Sequence, residues 1–326
     1  MSEAYSNADD AAKNAYAVEL NPPDISGYRA GNSGVEYVAT IESGKPGPHV
    51  LINALAHGNE LCGAIVVDRL LHTGLKPACG RLSLSFANIA AYRRFNPASP
   101  GMSRFIDEDF NRVWDGATLD GPRRSAELTR ARAMRPIIDT VDFLLDLHSM
   151  QHATPPLMLS GMTDKSLALA RRLGTPEFIV RDHGHTAGKR LLDYNGFGDP
   201  NSPKAALLAE CGQHWASASA DVALDIAWRF LAATGMLPPA DAALRLGPAP
   251  VPQRVITVTE AITIESGRFD FVTPYRGLEV IPQAGTVIGH DGGREVRTPY
   301  DNCVLIMPSR RLMRGQTAVR LGRFTG

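Results

Sequence analysis

His49-Val50-Leu51-Ile52-Asn53-Ala54-Leu55-Ala56-His57-Gly58-Asn59-Glu60 is the stretch on which the reading of this chain turns. Its apolar run reads as a buried strand, and from Glu60 onward Leu61, Ile65, Val66 and Leu70 recur at helical spacing. That helix is expected to reach Leu71 and to stop before Gly74 and Pro77. His57 then stands where a strand ends, and Glu60 in the first turn of the following helix. In an open α/β sheet this is the edge along which ligands bind. An imidazole and a carboxylate three positions apart can meet on one metal ion if the turn between them is tight, and Gly58 permits such a turn.

A catalytic zinc site usually takes three protein ligands and leaves a fourth position open. The third candidate is His148, at the end of a second short apolar strand, Asp142-Phe143-Leu144-Leu145-Asp146-Leu147. His-x-x-Glu alone is a weak signal, because a Glu in a first helical turn is favoured by the helix dipole anyway. His57, Glu60 and His148 together, each at the carboxyl edge of a strand, give the composition used by zinc hydrolases. Asp146 lies on the same strand face as His148. It could orient that imidazole, or equally pair with a helix nitrogen or an arginine.

The rest of the chain suits a large core. At 326 residues with 44% hydrophobic and 21% charged residues, it fits one big domain and a small one. Basic and acidic residues balance at 34 each, which argues against nucleic acid or an anionic membrane as partner. The four cysteines are scattered and form no Cys-x-x-Cys pair, as expected in a reducing cytosol. The N-terminus lacks a signal-peptide pattern, and no apolar run has the length to cross a bilayer. A cytoplasmic protein is therefore expected. A homo-oligomer is expected only by analogy.

Strands and helices alternate through residue 235, which implies a mostly parallel or mixed sheet flanked by helices. Residues 1–20 read as a short helix or a loose lead-in. After the Pro/Ala-rich bridge at 247–252 the texture changes to short β segments between Gly and Pro, read as a small all-β domain. The boundaries are 1–246 for the catalytic domain and 247–326 for the β-rich one. A biotin- or lipoyl-carrier reading is set aside, because the hairpin position Met307-Pro308-Ser309-Arg310-Arg311 offers no lysine.

The turn-rich connection from Ala91 to Asp120 is longer than a link needs, which marks it as a functional or disordered loop. It contains Arg104-Phe105-Ile106-Asp107-Glu108-Asp109-Phe110-Asn111-Arg112. Two arginines and an asparagine suit a carboxylate-binding wall, although a solvated loop whose charges pair internally has the same composition. Taken in order, His57-Gly58-Asn59-Glu60, this run, Asp146-Leu147-His148 and Glu210-Cys211-Gly212 resemble the aspartoacylase / succinylglutamate desuccinylase family, related in fold to the zinc carboxypeptidases. The likeness covers most of residues 35–235.

The resemblance implies one Zn2+ per chain on His57, Glu60 and His148. It implies Glu210 as general base and then acid, Arg104 polarising the scissile carbonyl, and Asn111 with Arg112 holding the substrate α-carboxylate. Tyr194 is a further pocket candidate that matches no family motif firmly. In aspartoacylase another arginine, shortly before the general base, grips a second carboxylate; between Leu191 and Glu210 this chain has only Lys204. The expected activity is zinc-dependent hydrolysis of the amide of a small N-acyl amino acid. Cleavage of short peptides and deacetylation of an N-acetyl-diamino acid are the near alternatives. A non-haem iron oxygenase shares the two-histidine, one-carboxylate set but is mainly an all-β barrel, and a non-catalytic binding module is the remaining class.

Overall fold

The computed structural model describes residues 16–247, 252–309 and 312–325. The lead-in over 1–15, most of the Pro/Ala-rich bridge and Arg310-Arg311 of the hairpin lie outside the described residues.

An eleven-stranded mixed sheet forms the body of the molecule. Its centre is parallel: β3 (Arg81–Phe86), β2 (His49–Ala54), β4 (Phe143–Met150) and β7 (Ala205–Gln213) lie side by side in that order. β1 (Val38–Glu42) closes one edge, antiparallel to β3. Beyond β7 come β5 (Leu157–Leu159), antiparallel to it, and then β6 (Phe178–Arg181).

Side chains alternate across these strands as the pleat requires. Val50, Ile52 and Ala54 of β2, with Leu145 and Leu147 of β4, face the helices Leu61–His72, Asp164–Leu173 and Ser217–Ala233. Leu51, Leu144, Ala206 and Leu208 face the opposite core, under the helix Ala126–Ile138 and the loop residues Phe110 and Trp114. Asn53, Asp146, His148 and Glu210 have the parity of this second face. The fold thus places the polar residues of three neighbouring strands in one row.

The C-terminal region is all β, as its texture implies, but much of it extends the main sheet. β8 (Arg254–Thr263) pairs parallel with β6, and β14 (Thr317–Phe324), β13 (Cys303–Ile306) and β10 (Glu279–Ile281) follow antiparallel. Only β9 (Phe269–Phe271), β11 (Val287–Asp291) and β12 (Arg294–Arg297) form a separate small antiparallel sheet. A third core, including Ile264, Ile288, Leu305 and Leu321, fills the space between. The four cysteines are free, and no helix among the described residues is long and apolar enough to cross a membrane.

Candidate metal centre and substrate cavity

β2 ends at Ala54, and Leu55 turns the chain with a left-handed φ of 60°. Glu60 is the residue before the helix Leu61–His72 rather than part of its first turn, and its carboxylate makes no capping bond. Gly58 is required for space and not for backbone freedom. A Cβ there would lie 2.4 Å from backbone atoms of Ala91 and Tyr92, and 2.5 Å from the Ser103 carbonyl oxygen. The Gly58 N–H donates to the Arg104 carbonyl at 3.1 Å, which ties the turn to the long loop.

The structure brings His57, Glu60 and His148 together, all buried, with potential ligand atoms within 4.8 Å of one another. Nδ1 of His57 is 2.7 Å from Glu60 Oε1, and Nδ1 of His148 is 3.0 Å from Oε2. Both rings therefore turn the same nitrogen toward one point. Their outer nitrogens are engaged by carboxylates: His57 Nε2 with Asp109 at 2.8 Å, His148 Nε2 with Asp146 at 2.9 Å. This is the arrangement that fixes the orientation of metal-binding imidazoles. Asp146 accepts in turn from Asn53 Nδ2 at 2.8 Å, and Ser85 donates to Asn53 Oδ1 at 2.6 Å. His148 lies inside β4, which runs two residues past it, rather than at the strand's end.

Burial opposes the Glu60 charge, but the two imidazoles overcome it and hold the carboxyl well below its usual range. Burial likewise opposes imidazolium at His148, while Asp146 and Glu60 raise its pKa well above the ordinary value. The site is built to gather positive charge, and a divalent cation suits it as well as protons do.

Glu210 is the register partner of His148 on β7. Its Oε2 is buried with no hydrogen-bond partner among the described residues. Burial, assisted by Glu60 and resisted by His148, pushes its carboxyl up to about 8. Arg104 reaches Asp109 at 3.0 Å and Glu60 at 3.4 Å and lines the same cavity of about 1150 Å³. Asn111 and Arg112 also line it. The Asn111 side-chain oxygen accepts from the Leu191 N–H at 2.9 Å, and Arg112 donates to the Asn111 carbonyl at 2.6 Å.

Tyr194 is a correction. It does not line this cavity; its hydroxyl donates to Asp139 at 2.7 Å, accepts from Arg135 at 3.1 Å, and its ring packs on Trp114. The turn over Leu191–Asp193 directs it into the second core instead of the site.

Several residues that line or support the cavity carry no signal in the sequence. Asp109 stands inside the quoted loop run, yet its bond to His57 depends on how the loop folds back. Glu127 is fully buried, and its carboxylate accepts from the N–H groups of Ile106, Asp107 and Glu108 at 2.7, 3.1 and 3.3 Å. It thereby anchors the segment that carries Arg104 and Asp109. Arg190, immediately before the stretch from Leu191 to Glu210, lines the cavity together with Arg320 of β14.

Residues 46–199 match the family model described as the Succinylglutamate desuccinylase/Aspartoacylase catalytic domain, so the resemblance carried by the motifs holds over that stretch. The fold is also that of solved structures bearing this name. A succinylglutamate desuccinylase from Vibrio cholerae aligns with a TM-score of 0.67 at 19% identity, over 89% of this chain and 86% of that one. A succinylglutamate desuccinylase/aspartoacylase from Rhodobacter sphaeroides gives 0.63 at 16% identity, over 90% of each. The product-bound ectoine utilization protein EutE (DoeB) from Ruegeria pomeroyi gives 0.59 at 17%, over 87% and 88%. No curated protein matches significantly.

Proposed function

We propose that this protein is a zinc-dependent amidohydrolase that removes the acyl group from a small N-acyl amino acid. One observation carries the reading: two imidazoles and a glutamate converge on one point beside a buried glutamate oxygen that has no hydrogen-bond partner among the described residues. The donor set is the nitrogen and oxygen set of catalytic zinc, and its imidazoles are already oriented. A zinc ion on His57, Glu60 and His148 would supply Lewis acidity and lower the pKa of a water from ~15.7 to about 7.

The other roles belong to side chains. Glu210, pushed up to about 8 by burial, can take a proton and hold it near neutral pH, then deliver it to the departing nitrogen. Arg104, held by Glu60 and Asp109 beside the metal site, stabilises negative charge growing on the amide oxygen in this reading. Asn111 and Arg112, which line the cavity, orient the substrate through its α-carboxylate in this reading. The division into a catalytic region, 1–246, and a β-rich region, 247–326, belongs to the same proposal. So does a cytoplasmic location, for which four free thiols argue.

The test is metal analysis of the purified protein, followed by amine release from a panel of N-acetyl and N-succinyl amino acids. About one zinc per chain is expected, with activity lost on chelation and restored by zinc. Glu210→Gln should keep the metal and lose about 10²–10⁴ in kcat. A protein that binds no zinc and releases no amine would falsify the reading; cleavage of peptides alone would make it a carboxypeptidase.

A further inference from the structure

One side of the cavity is built by guanidinium groups, and one of them is only loosely paired, with a carboxylate that another arginine shares. Arg320 comes from β14 in the C-terminal region, is 6% exposed and lines the cavity. Its Nε is buried with no hydrogen-bond partner among the described residues, and the nearest carboxylate oxygen, on Asp182, is 3.6 Å away. Asp182 is already committed, accepting from Arg190 Nη1 at 2.8 and 3.0 Å. Arg190 is doubly satisfied, since its Nε and Nη2 also reach Asp193 at 2.7 and 3.2 Å.

The remaining neighbour of Arg320 brings no charge. Its Nη2 lies 2.8 Å from His185 Nδ1 and also touches Nε2. Burial and the Arg320 cation push the His185 pKa down, which keeps that ring neutral. Burial, with the Arg190 and Arg112 cations, pushes Arg320 itself down to about 10 against the pull of Asp182. Arg112 forms no ion pair within 4.0 Å among the described residues. A buried guanidinium with an open donor and too little counter-charge is a receptor for an anion, and its planar fork matches a carboxylate.

We propose that Arg320 is a specificity-determining residue that binds a carboxylate of the substrate from the C-terminal side of the cavity, with Asp182 as the positioning residue that holds it there. The proposal rests on the N-acyl amino acid reading and deepens it, because it makes the β-rich region part of the substrate site. The carboxylate comes either from the α-carbon or from a second acidic group on the side chain or the acyl chain. A cationic side chain on the leaving amino acid is disfavoured by the same guanidinium.

Arg320→Ala, Arg320→Lys and Asp182→Asn should be assayed on matched substrates: neutral and acidic N-acetyl amino acids, their N-succinyl counterparts, and α-amides lacking the α-carboxylate. For substrates that carry the recognised carboxylate, Arg320→Ala should raise KM by ~10- to 100-fold with kcat nearly unchanged. Arg320→Lys should recover part of that loss, and Asp182→Asn should show the same substrate pattern more weakly. Loss confined to acidic substrates assigns a second carboxylate; loss on every substrate except the α-amides assigns the α-carboxylate. Equal KM for wild type and variants across the panel overturns the proposal and leaves the hydrolase reading standing. Absence of turnover in the wild type would instead count against the hydrolase reading. Calorimetric titration of wild type and Arg320→Lys with the same N-acyl amino acids then decides the inference, weaker binding to the variant supporting it and equal or no binding overturning it. Arg320→Lys serves equally if Arg320→Ala does not fold.

Discussion

The two imidazoles of the candidate metal centre are held by different parts of the molecule. His148 sits within β4, between β2 and β7, and its outer nitrogen is fixed through Asp146, Asn53 and Ser85, a row across three strands. Asp146, Asn53 and Ser85 are fully buried. His57 follows a strand end, and its outer nitrogen rests on Asp109 of the long loop, whose side chain is 19% exposed. The Asp109 oxygen that holds His57 also accepts from the Asn111 N–H at 2.8 Å, while its other oxygen holds Arg104. One imidazole is thus set by the sheet, and the other by the loop that lines the cavity. A shift of Asn111 has a path to His57 through Asp109, whereas Arg104 reaches His57 through Asp109 and both imidazoles through Glu60.

The largest effects should come from cutting each support in turn. Asp146→Ala removes a buried carboxylate from both His148 and Asn53, and breaking such a pair costs about 3–5 kcal/mol of stability. Zinc affinity should fall ~10- to 100-fold as well. Asp109→Ala should weaken zinc binding to a similar degree while leaving the midpoint of chemical unfolding close to wild type, because its site is partly solvated and no strand depends on it. Competition with a chelator and urea titration of the metal-free proteins measure the two quantities separately. Equal loss of stability in both variants would erase the distinction between a sheet-set and a loop-set ligand.

A second experiment sharpens the strand side through Glu210, the register neighbour of His148. Its folded pKa of about 8 lies above the ordinary value of 4.5, so the unfolded chain gives up the proton first. The contribution to stability is therefore full below pH 4.5 and is lost progressively as pH rises toward 8. Glu210→Gln stays neutral throughout. In metal-free protein it should be the more stable form at pH 7, by on the order of 3 kcal/mol, with the gap closing by pH 5. Parallel stability profiles for the two proteins between pH 5 and 8 would remove Glu210 from the set of buried, neutral acids.

The same contrast explains what the sequence makes legible. Strand-borne features leave a local trace: apolar runs end near His57, His148 and Glu210, and two-residue alternation puts Asp146 on the face of His148. The helix beginning at Leu61 follows from apolar spacing alone. Features that need two distant segments to meet leave none. Nothing near Arg254 signals that β8 will pair with β6 and carry β14 and Arg320 to the cavity, because that register joins residues more than seventy positions apart. Asp109 and Glu127 read as ordinary loop and helix charges until the loop closes over them. Tyr194 errs the other way: it is near the right residues in sequence, but its turn packs it under Trp114.

The smallest effect is expected at the far end of the row. Ser85→Ala removes the donor to Asn53 Oδ1 and leaves that oxygen buried, a change worth about 1 kcal/mol when the amide can re-pair and about 3 when it cannot. Asn53 still donates to Asp146, so His148 keeps its orientation and zinc affinity should move by less than about threefold. If the sheet sets His148 as a rigid unit, the loss should appear in unfolding alone. A zinc affinity lowered as far as in Asp146→Ala would mean that the row transmits position residue by residue, and that the strand-borne ligand is as adjustable as the loop-borne one.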